Sequence, residues 1–383
     1  MRGNRLFKAL DALVGIPLVW ALGLLRSRAQ PSPLGPGSRV LLIKQSAMGD
    51  TLLLLPVLKA LREQVGPQGA VDLLCTSVNA GVLKDLPWLD QRHRFEPARF
   101  LTGPWRLWGF VRSLRARRYD WALDMDQWLR SSALLSLASG AAWRAGFSTP
   151  GQHKHGLFHR SAANHRRTHE FEQFKDVAAL AGLDLGRVEP FAGFLLRSGF
   201  LGAAPVARQA RPWVLLHPGA GGARGWQREW PIERFAELGR WFKAQGAQVA
   251  LSGAGAYERS LCGAIEAGMG KADGHCIDSG LASLVASLCR ADLVVCGNTG
   301  VMHLAAGLGR PLIALHGPNP ADKWGPLAPA QAPGQVRVLQ SSLPCSPCLN
   351  LGFEFGCALR PCMESIELGA VQDAARPLLK ASA

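Results

Sequence analysis

Residues 40–63 read VLLIKQSAMGDTLLLLPVLKALRE. Four consecutive apolar residues, Val40 to Ile43, follow Arg39 and mark a strand over 39–43. A continuous apolar run, rather than an alternating one, belongs to a strand buried on both faces, as in a parallel sheet covered by helices. The small and polar turn KQSAMGDT then leads into a helix expected over Leu52–Glu63. The same alternation continues downstream. AVDLLC (Ala70 to Cys75) and YDWALDM (Tyr119 to Met125) read as strands, and Glu170 to Ala181 as a helix.

An Ala/Pro/Arg-rich stretch, Gly202 to Pro212, precedes a second series. Strands are expected at Trp213–His217, Ala247–Ser252, Asp292–Cys296 and Pro311–His316, with helices at Pro231–Gln245, Leu281–Arg290 and Val301–Leu308. At about 100–200 residues per domain, 383 residues call for two cores. The expected fold class is therefore α/β, with two doubly wound parallel-sheet domains. We divide the chain into residues 1–35, an N-terminal amphipathic helix with a Pro/Gly linker, 36–205, and 206–383. Ligands of such sheets bind outside the carboxyl ends of the strands, so the site is expected in a cleft between the two domains.

Charged residues make up 19% and apolar residues 48% of the chain, which excludes wholesale disorder. Residues 1–200 carry 27 basic against 15 acidic side chains, and residues 201–383 carry 16 against 13. An anionic partner is expected to meet the first half. Five of the nine cysteines (Cys75, Cys262, Cys276, Cys289, Cys296) lie in or beside apolar runs, which argues against a secreted disulfide framework. The uncharged stretch Ala12–Leu25 contains Pro17 and falls short of the about 20 apolar residues that span a bilayer. Leu6, Leu10, Leu13, Pro17, Ala21 and Leu25 recur at helical spacing, between Arg2, Arg5 and Lys8 on one side and Arg26 and Arg28 on the other. Such a helix can lie in the headgroup plane, dock on the protein itself, or act as a signal core. We expect an interfacial anchor.

Asp50 falls where the first strand turns into its helix, and a helix N-terminus favours a carboxylate in its ionised form. It reads either as an N-cap or as a general base. In the second half, HPGAGGARGWQREWP (His217 to Pro231) brings glycines and Arg224 and Arg228 to the start of a helix, a phosphate-binding pattern. SGAGAYE (Ser252 to Glu258) is an incomplete dinucleotide motif. Gly297-Asn298-Thr299-Gly300 ends a strand and opens a helix carrying His303, a second anion cradle, with His303 either reaching a phosphate or packing in the core.

Taken in order, VLLIKQSAMGDTLLLLPVLKALRE, LLHPGA, REWPIERFAELG, SGAGAYER and NTGVMHLAAGLGRPLIALHGP resemble glycosyltransferase family 9, the ADP-heptose:lipopolysaccharide heptosyltransferases. The resemblance runs from Val40 to Pro318. It implies a GT-B fold of two Rossmann-like domains, acceptor on the first and nucleotide-sugar on the second. It also implies an inverting transfer that needs no catalytic metal. Asp50 matches the family's catalytic base. Gly219, Arg228, Glu258, Asn298, Thr299, Gly300 and His303 match its nucleotide-sugar positions, with Glu258 suited to the nucleoside hydroxyls. Two departures stand out: Asn298 replaces the family's Asp, and Arg228 replaces its Lys, which changes hydrogen-bond geometry while keeping charge.

The implied activity moves a heptose or related sugar from an ADP-sugar to a lipopolysaccharide-core-type acceptor on the cytoplasmic face of the inner membrane. Two alternatives stay open: a family member with another sugar or acceptor, and a non-catalytic nucleotide-sugar-binding scaffold. The first-half cations Arg92, Arg94, Arg99, Arg106, Arg112, Arg115, Arg117, Arg118, Lys154, Arg160, Arg166 and Arg167 fit a phosphorylated glycolipid acceptor. No nucleic-acid motif accompanies them, and none is expected to bind. Trp105 and Trp108, interleaved with Leu107 and Phe110, suggest a packed helix or a membrane-proximal surface. Cys345-x2-Cys348-x8-Cys357-x4-Cys362 has a first-pair spacing suited to a structural metal, with packed or redox-labile thiols as the other reading.

Overall fold

The computed structural model describes residues 11–24, 30–45, 47–97, 103–207, 209–222, 224–349 and 357–380. The chain forms two compact units, one ending at Glu189 and the other beginning at Pro190.

In the first unit, β1 (Arg39–Ile43) is followed by α2 (Met48–Val65) and β2 (Ala70–Cys75), after a short N-terminal helix α1 (Ile16–Gly23). β3 (Gln91–Arg94), α3 (Pro104–Ala116), β4 (Trp121–Asp124), α4 (Arg130–Ala138), β5 (Trp143–Ser148), β6 (Arg160–Ala163) and α5 (Glu170–Ala179) complete it. The strands are all parallel, in the order β3-β2-β1-β4-β5-β6. β1 sits centrally, with Arg39 opposite Ala70 on one side and Val40 opposite Trp121 on the other. Order reverses between β1 and β4, which makes their carboxyl ends the switch point where such sheets bind ligands. α2 is apolar almost all round because it is buried almost all round; it packs on the sheet and against α5.

The second unit repeats the plan. Its elements are β7 (Trp213–His217), α6 (Ile232–Ala244), β8 (Gln248–Gly253), α7 (Gly255–Met269), β9 (Gly274–Ile277) and α8 (Leu281–Arg290). β10 (Leu293–Gly297), α9 (Gly300–Gly307), β11 (Leu312–His316), β12 (Val336–Gln340) and α10 (Leu368–Lys380) follow. The parallel order is β12-β11-β10-β7-β8-β9, with its switch point between β7 and β10. Trp230, Phe235, Phe242, Val295 and Val371 share one core beneath the helices.

Segment 190–205, which composition assigns to the first domain, packs with the second unit. Gly193 N–H donates to Ala306 O at 3.1 Å, and Phe191 and Leu195 fill the space beside Gly307. α1 docks through Val19, buried against Ala133, Leu157 and Phe158. Leu13, Pro17 and Ala21 face solvent, while Leu6, Leu10 and Leu25 lie outside the described residues. No helix among the described residues is long and apolar enough to cross a membrane.

Candidate active site

At the first switch point, β1 delivers Lys44 and α2 delivers Asp50. Ala47 occupies the N-cap of α2, so Asp50 is the third residue of the helix rather than its cap. Ala47 has φ +66°, a conformation that favours glycine, and its carbonyl accepts from Thr51 Oγ1 at 2.9 Å. Lys44 Nζ stands 3.2 Å from Asp50 Oδ2 and 3.5 Å from Asp126 Oδ1, and donates to Met125 O at 3.3 Å. Asp126 Oδ2 accepts from Gln45 N–H at 2.6 Å. One layer deeper, Lys154 Nζ pairs with Asp124 Oδ2 at 2.9 Å. Burial pushes the Asp124 carboxyl above its usual range, opposed by Lys154 and reinforced by Asp126. Asp50 is 7% exposed, Asp126 2% and Asp124 0%. All three carboxylates are buried, and Asp50 is the least deeply so.

Two buried ion pairs correct two expectations. Lys154 was expected on the acceptor-facing surface and is fully buried, because Asp124 requires a buried cation. Arg117 was expected there too, but it clamps buried Asp72 through two hydrogen bonds of 2.7 and 2.9 Å. Arg92, Arg94, Arg106, Arg112, Arg115, Arg118, Arg160, Arg166 and Arg167 are exposed; Arg99 lies outside the described residues. Lys44, Asp124 and Asp126 were not singled out from sequence. The available signal was positional: a lysine directly after a central strand, and an Asp-Met-Asp at the end of another.

The second switch point is built from small residues and backbone. Gly219 follows β7, and a Cβ there would stand 2.6 Å from the Glu258 carboxyl group. Glu258 Oε2 accepts from Ala254 N–H at 2.7 Å, which holds its side chain beneath Gly219. Gly297, the last residue of β10, lets the backbone of Arg228 approach, where a Cβ would stand 2.9 Å from Arg228 O. Arg228 Nη1 donates to Asn298 O at 3.1 Å, and its other terminal nitrogen donates to Gly221 O. Asn298 Nδ2 donates to Trp324 O at 2.8 Å.

Thr299 is the N-cap of α9, and its buried hydroxyl has Cys296 beside it and no nitrogen or oxygen partner among the described residues. Thr299 and Gly300 are partly exposed at the mouth of this otherwise buried helix; His303 is 5% exposed within it. Glu229, not anticipated from sequence, is buried beneath the glycine loop. Its two oxygens accept from Ala220 N–H at 3.1 Å and Tyr257 O–H at 2.7 Å, and burial raises its pKa.

The four clustered cysteines do not come together as a metal site. Cys345, Cys348 and Cys357 are exposed and Cys362 is buried against Gly317, its thiol pushed up to about 11 by burial. Among the described residues, no group of three or more His, Cys, Asp or Glu side chains is placed to hold a metal ion.

Two doubly wound units of the same strand order, each with a polar switch-point edge, are the architecture of the GT-B fold. A family model described as glycosyltransferase family 9 (heptosyltransferase) matches residues 107–358. The chain belongs to that family. Lipopolysaccharide heptosyltransferase 1 of Pseudomonas aeruginosa is 29% identical over 325 residues, 82% of this chain and 86% of that protein. The glycosyl transferase family 9 structure from Veillonella parvula superposes with a TM-score of 0.70 at 18% identity, covering 92% of this chain and all of that one. E. coli heptosyltransferase WaaC with ADP-2-deoxy-2-fluoro heptose gives 0.67 at 19% identity, with 88% of this chain and 99% of that one covered.

Proposed function

We propose that the protein is an inverting glycosyltransferase that moves a heptose from an ADP-sugar to a phosphorylated glycolipid acceptor of the lipopolysaccharide-core type. The observation that carries this is Asp50: a carboxylate at the N-terminus of α2, steadied by Lys44 and the least buried of the three carboxylates at that edge. In the reaction, Asp50 takes the proton of an acceptor hydroxyl as that oxygen bonds to the anomeric carbon. The bond from that carbon to the diphosphate oxygen breaks, with ADP leaving from the opposite face.

Arg228 supplies the cation for the leaving diphosphate, and the N–H groups opening α9 with the Thr299 hydroxyl supply neutral donors. Glu258 beneath Gly219 suits the nucleoside hydroxyls, and His303 lies one turn into α9. With these donors the leaving charge is met without a metal. The acceptor places the protein at the cytoplasmic face of the inner membrane. Incubating the protein with ADP-heptose and a heptose-deficient lipid acceptor should yield the transferred product and ADP. No transfer together with no ADP binding by calorimetry rejects the reading.

Asn298 favours one second reading, a different sugar. Its amide donates to Trp324 O, a contact a carboxylate would turn into repulsion. Faster turnover with another ADP-sugar than with ADP-heptose would establish that alternative.

A further inference from the structure

The first unit exposes three tryptophans that serve neither its core nor its switch-point network. Trp105 and Trp108 on α3 are each 71% exposed, and Trp20 on α1 is 63% exposed. On α3, Trp105, Trp108 and Arg112 follow one another at steps of three and four residues, so they share the outward face while Leu114 faces the core. α3 and the N-terminal helical segment both pack against α4: Leu114 shares a cluster with Leu135, and Val19 with Ala133.

Direction along the sheet follows from the contacts at each end. The carbonyl of Arg117, just past the end of α3, accepts from Arg39 at the start of β1, so α3 finishes at the amino edge. Thirteen helical residues span about 20 Å, which returns its first turn to the carboxyl edge. The Trp20 ring lies 5.8 Å from that of His153, tilted to it, and the next residue, Lys154, reaches Asp124 at the carboxyl end of β4. All three indoles therefore rim the edge that holds Asp50.

We propose that this rim docks on an anionic lipid bilayer, Trp20, Trp105 and Trp108 entering the headgroup boundary while Arg94, Arg106 and Arg112 meet lipid phosphates. Indole rings favour that boundary because one side is apolar and the N–H stays wet. Charge supports a bilayer over a second copy of the chain. Residues 91–118 hold eight arginines and a single acid, Glu96, whose carboxylate accepts from Ser77 N–H at 2.8 Å. A self-associated face would set Arg94, Arg106 and Arg112 against their own copies, whereas anionic lipid neutralises them. The inference deepens the reading above, from which it takes a lipid-borne acceptor, and it brings that lipid to the edge carrying the proposed base.

The test is flotation of the full chain with vesicles of phosphatidylcholine alone or mixed with phosphatidylglycerol, without acceptor. The wild type should float with the anionic vesicles and not with the neutral ones. Trp105→Ser/Trp108→Ser should lower vesicle affinity about tenfold or more, with ADP affinity and turnover of a delipidated, water-soluble acceptor unchanged. Arg112→Gln should lower it about fivefold at low salt and much less at high salt. Equal binding to both vesicle types, or unchanged binding by both variants, overturns the proposal. A tryptophan variant that converts a dimer to a monomer in sedimentation assigns the face to a second copy instead. Transfer to the soluble acceptor reports on the activity alone, so a lost activity with intact flotation counts against the function and not the docking surface.

Discussion

Replacing Asp50 by Asn keeps the size of the side chain and removes the proposed base. Lys44 retains Asp126 at 3.5 Å and the Met125 carbonyl at 3.3 Å, and the new amide oxygen can still accept its ammonium. The lost charge-assisted contact therefore costs about 1–3 kcal/mol of stability, and the unit stays folded. A positioned general base is worth about 10²–10⁴ in rate, or about 3–5 kcal/mol of barrier. Asp50→Asn should lower kcat by that factor while ADP affinity, read by calorimetry, stays within about twofold, because the proposed nucleotide positions lie in the other unit. Asp126→Asn is the control. It touches the same ammonium, but it is 2% exposed and holds Gln45 N–H rather than facing substrate, so its kcat should fall by less than about tenfold. ADP release in single-turnover assays measures both. If Asp50→Asn keeps more than about a tenth of the wild-type rate, or Asp126→Asn is equally damaging, the base assignment is wrong and the network acts only as a folded unit.

Gly219→Ala places a Cβ 2.6 Å from the Glu258 carboxyl, so Glu258 must leave its seat; ADP affinity should drop about tenfold or more, and unchanged calorimetry would remove both residues from the nucleotide site. Lys154→Met strands a wholly buried carboxylate at Asp124 and should destabilise the first unit by about 3–5 kcal/mol in urea unfolding, whereas Lys154→Met/Asp124→Leu should recover much of that. Burial holds the His316 imidazole down to about 4, below the about 6.5 of an unfolded chain. The unfolded chain binds the extra proton between those values, so second-unit stability should decline as pH falls from about 6.5 to about 4, by about 3 kcal/mol in all. His316→Asn should flatten that part of the profile, and an unchanged slope in the variant would reject the assignment.

Central strands were legible because burial on both faces writes them as unbroken apolar runs. Arg39–Ile43, Ala70–Cys75 and Trp213–His217 have the boundaries read from sequence. The edge strands were not. Gln-Arg-His-Arg at 91–94 and Arg-Ser-Ala-Ala at 160–163 are largely exposed and polar, so no hydrophobic pattern marks them; only pairing with β2 and β5 makes them strands. α2 starts four residues before the helix expected from its leucines, since Met48, Gly49 and Asp50 carry little helix signal and enter through the unusual backbone at Ala47. The same contrast holds at the site. Glycine-bearing motifs and Asp50 could be placed from local spacing, whereas the partners of Asp50 come from strands more than seventy residues apart. Lys44 and Asp126 become neighbours only once β1 lies beside β4. Burial of Lys154 was invisible for the same reason: a lysine among histidines and glycines reads as surface until its carboxylate is known.

The two units carry one strand order, yet their switch points are made of opposite materials, and the difference follows from the ligand each would receive. Counted within each unit, the order is 3-2-1-4-5-6 twice over, so the first and fourth strands part at the same place in both. In the first unit that place holds two ammonium groups and three carboxylates with the Phe174 ring 5.3 Å from Lys44 Nζ. A proton acceptor has to be a side chain, because backbone groups do not titrate, and a buried carboxylate needs fixed cations to stay in place. In the second unit the same place is lined by Gly219, Gly297, Thr299 and Gly300, with Glu258 packed against Gly219 and Arg228 against Gly297. A diphosphate is bound best by N–H groups at close range, and any Cβ at Gly219 or Gly297 would collide with Glu258 or with the backbone of Arg228. Exchanging the two chemistries would disable both edges. The base could not be replaced by a main-chain donor, and side chains in place of Gly219 and Gly297 would close the backbone approach that a phosphate needs. The common fold supplies the position; in the proposed reaction, the residues at each edge decide which half it would serve.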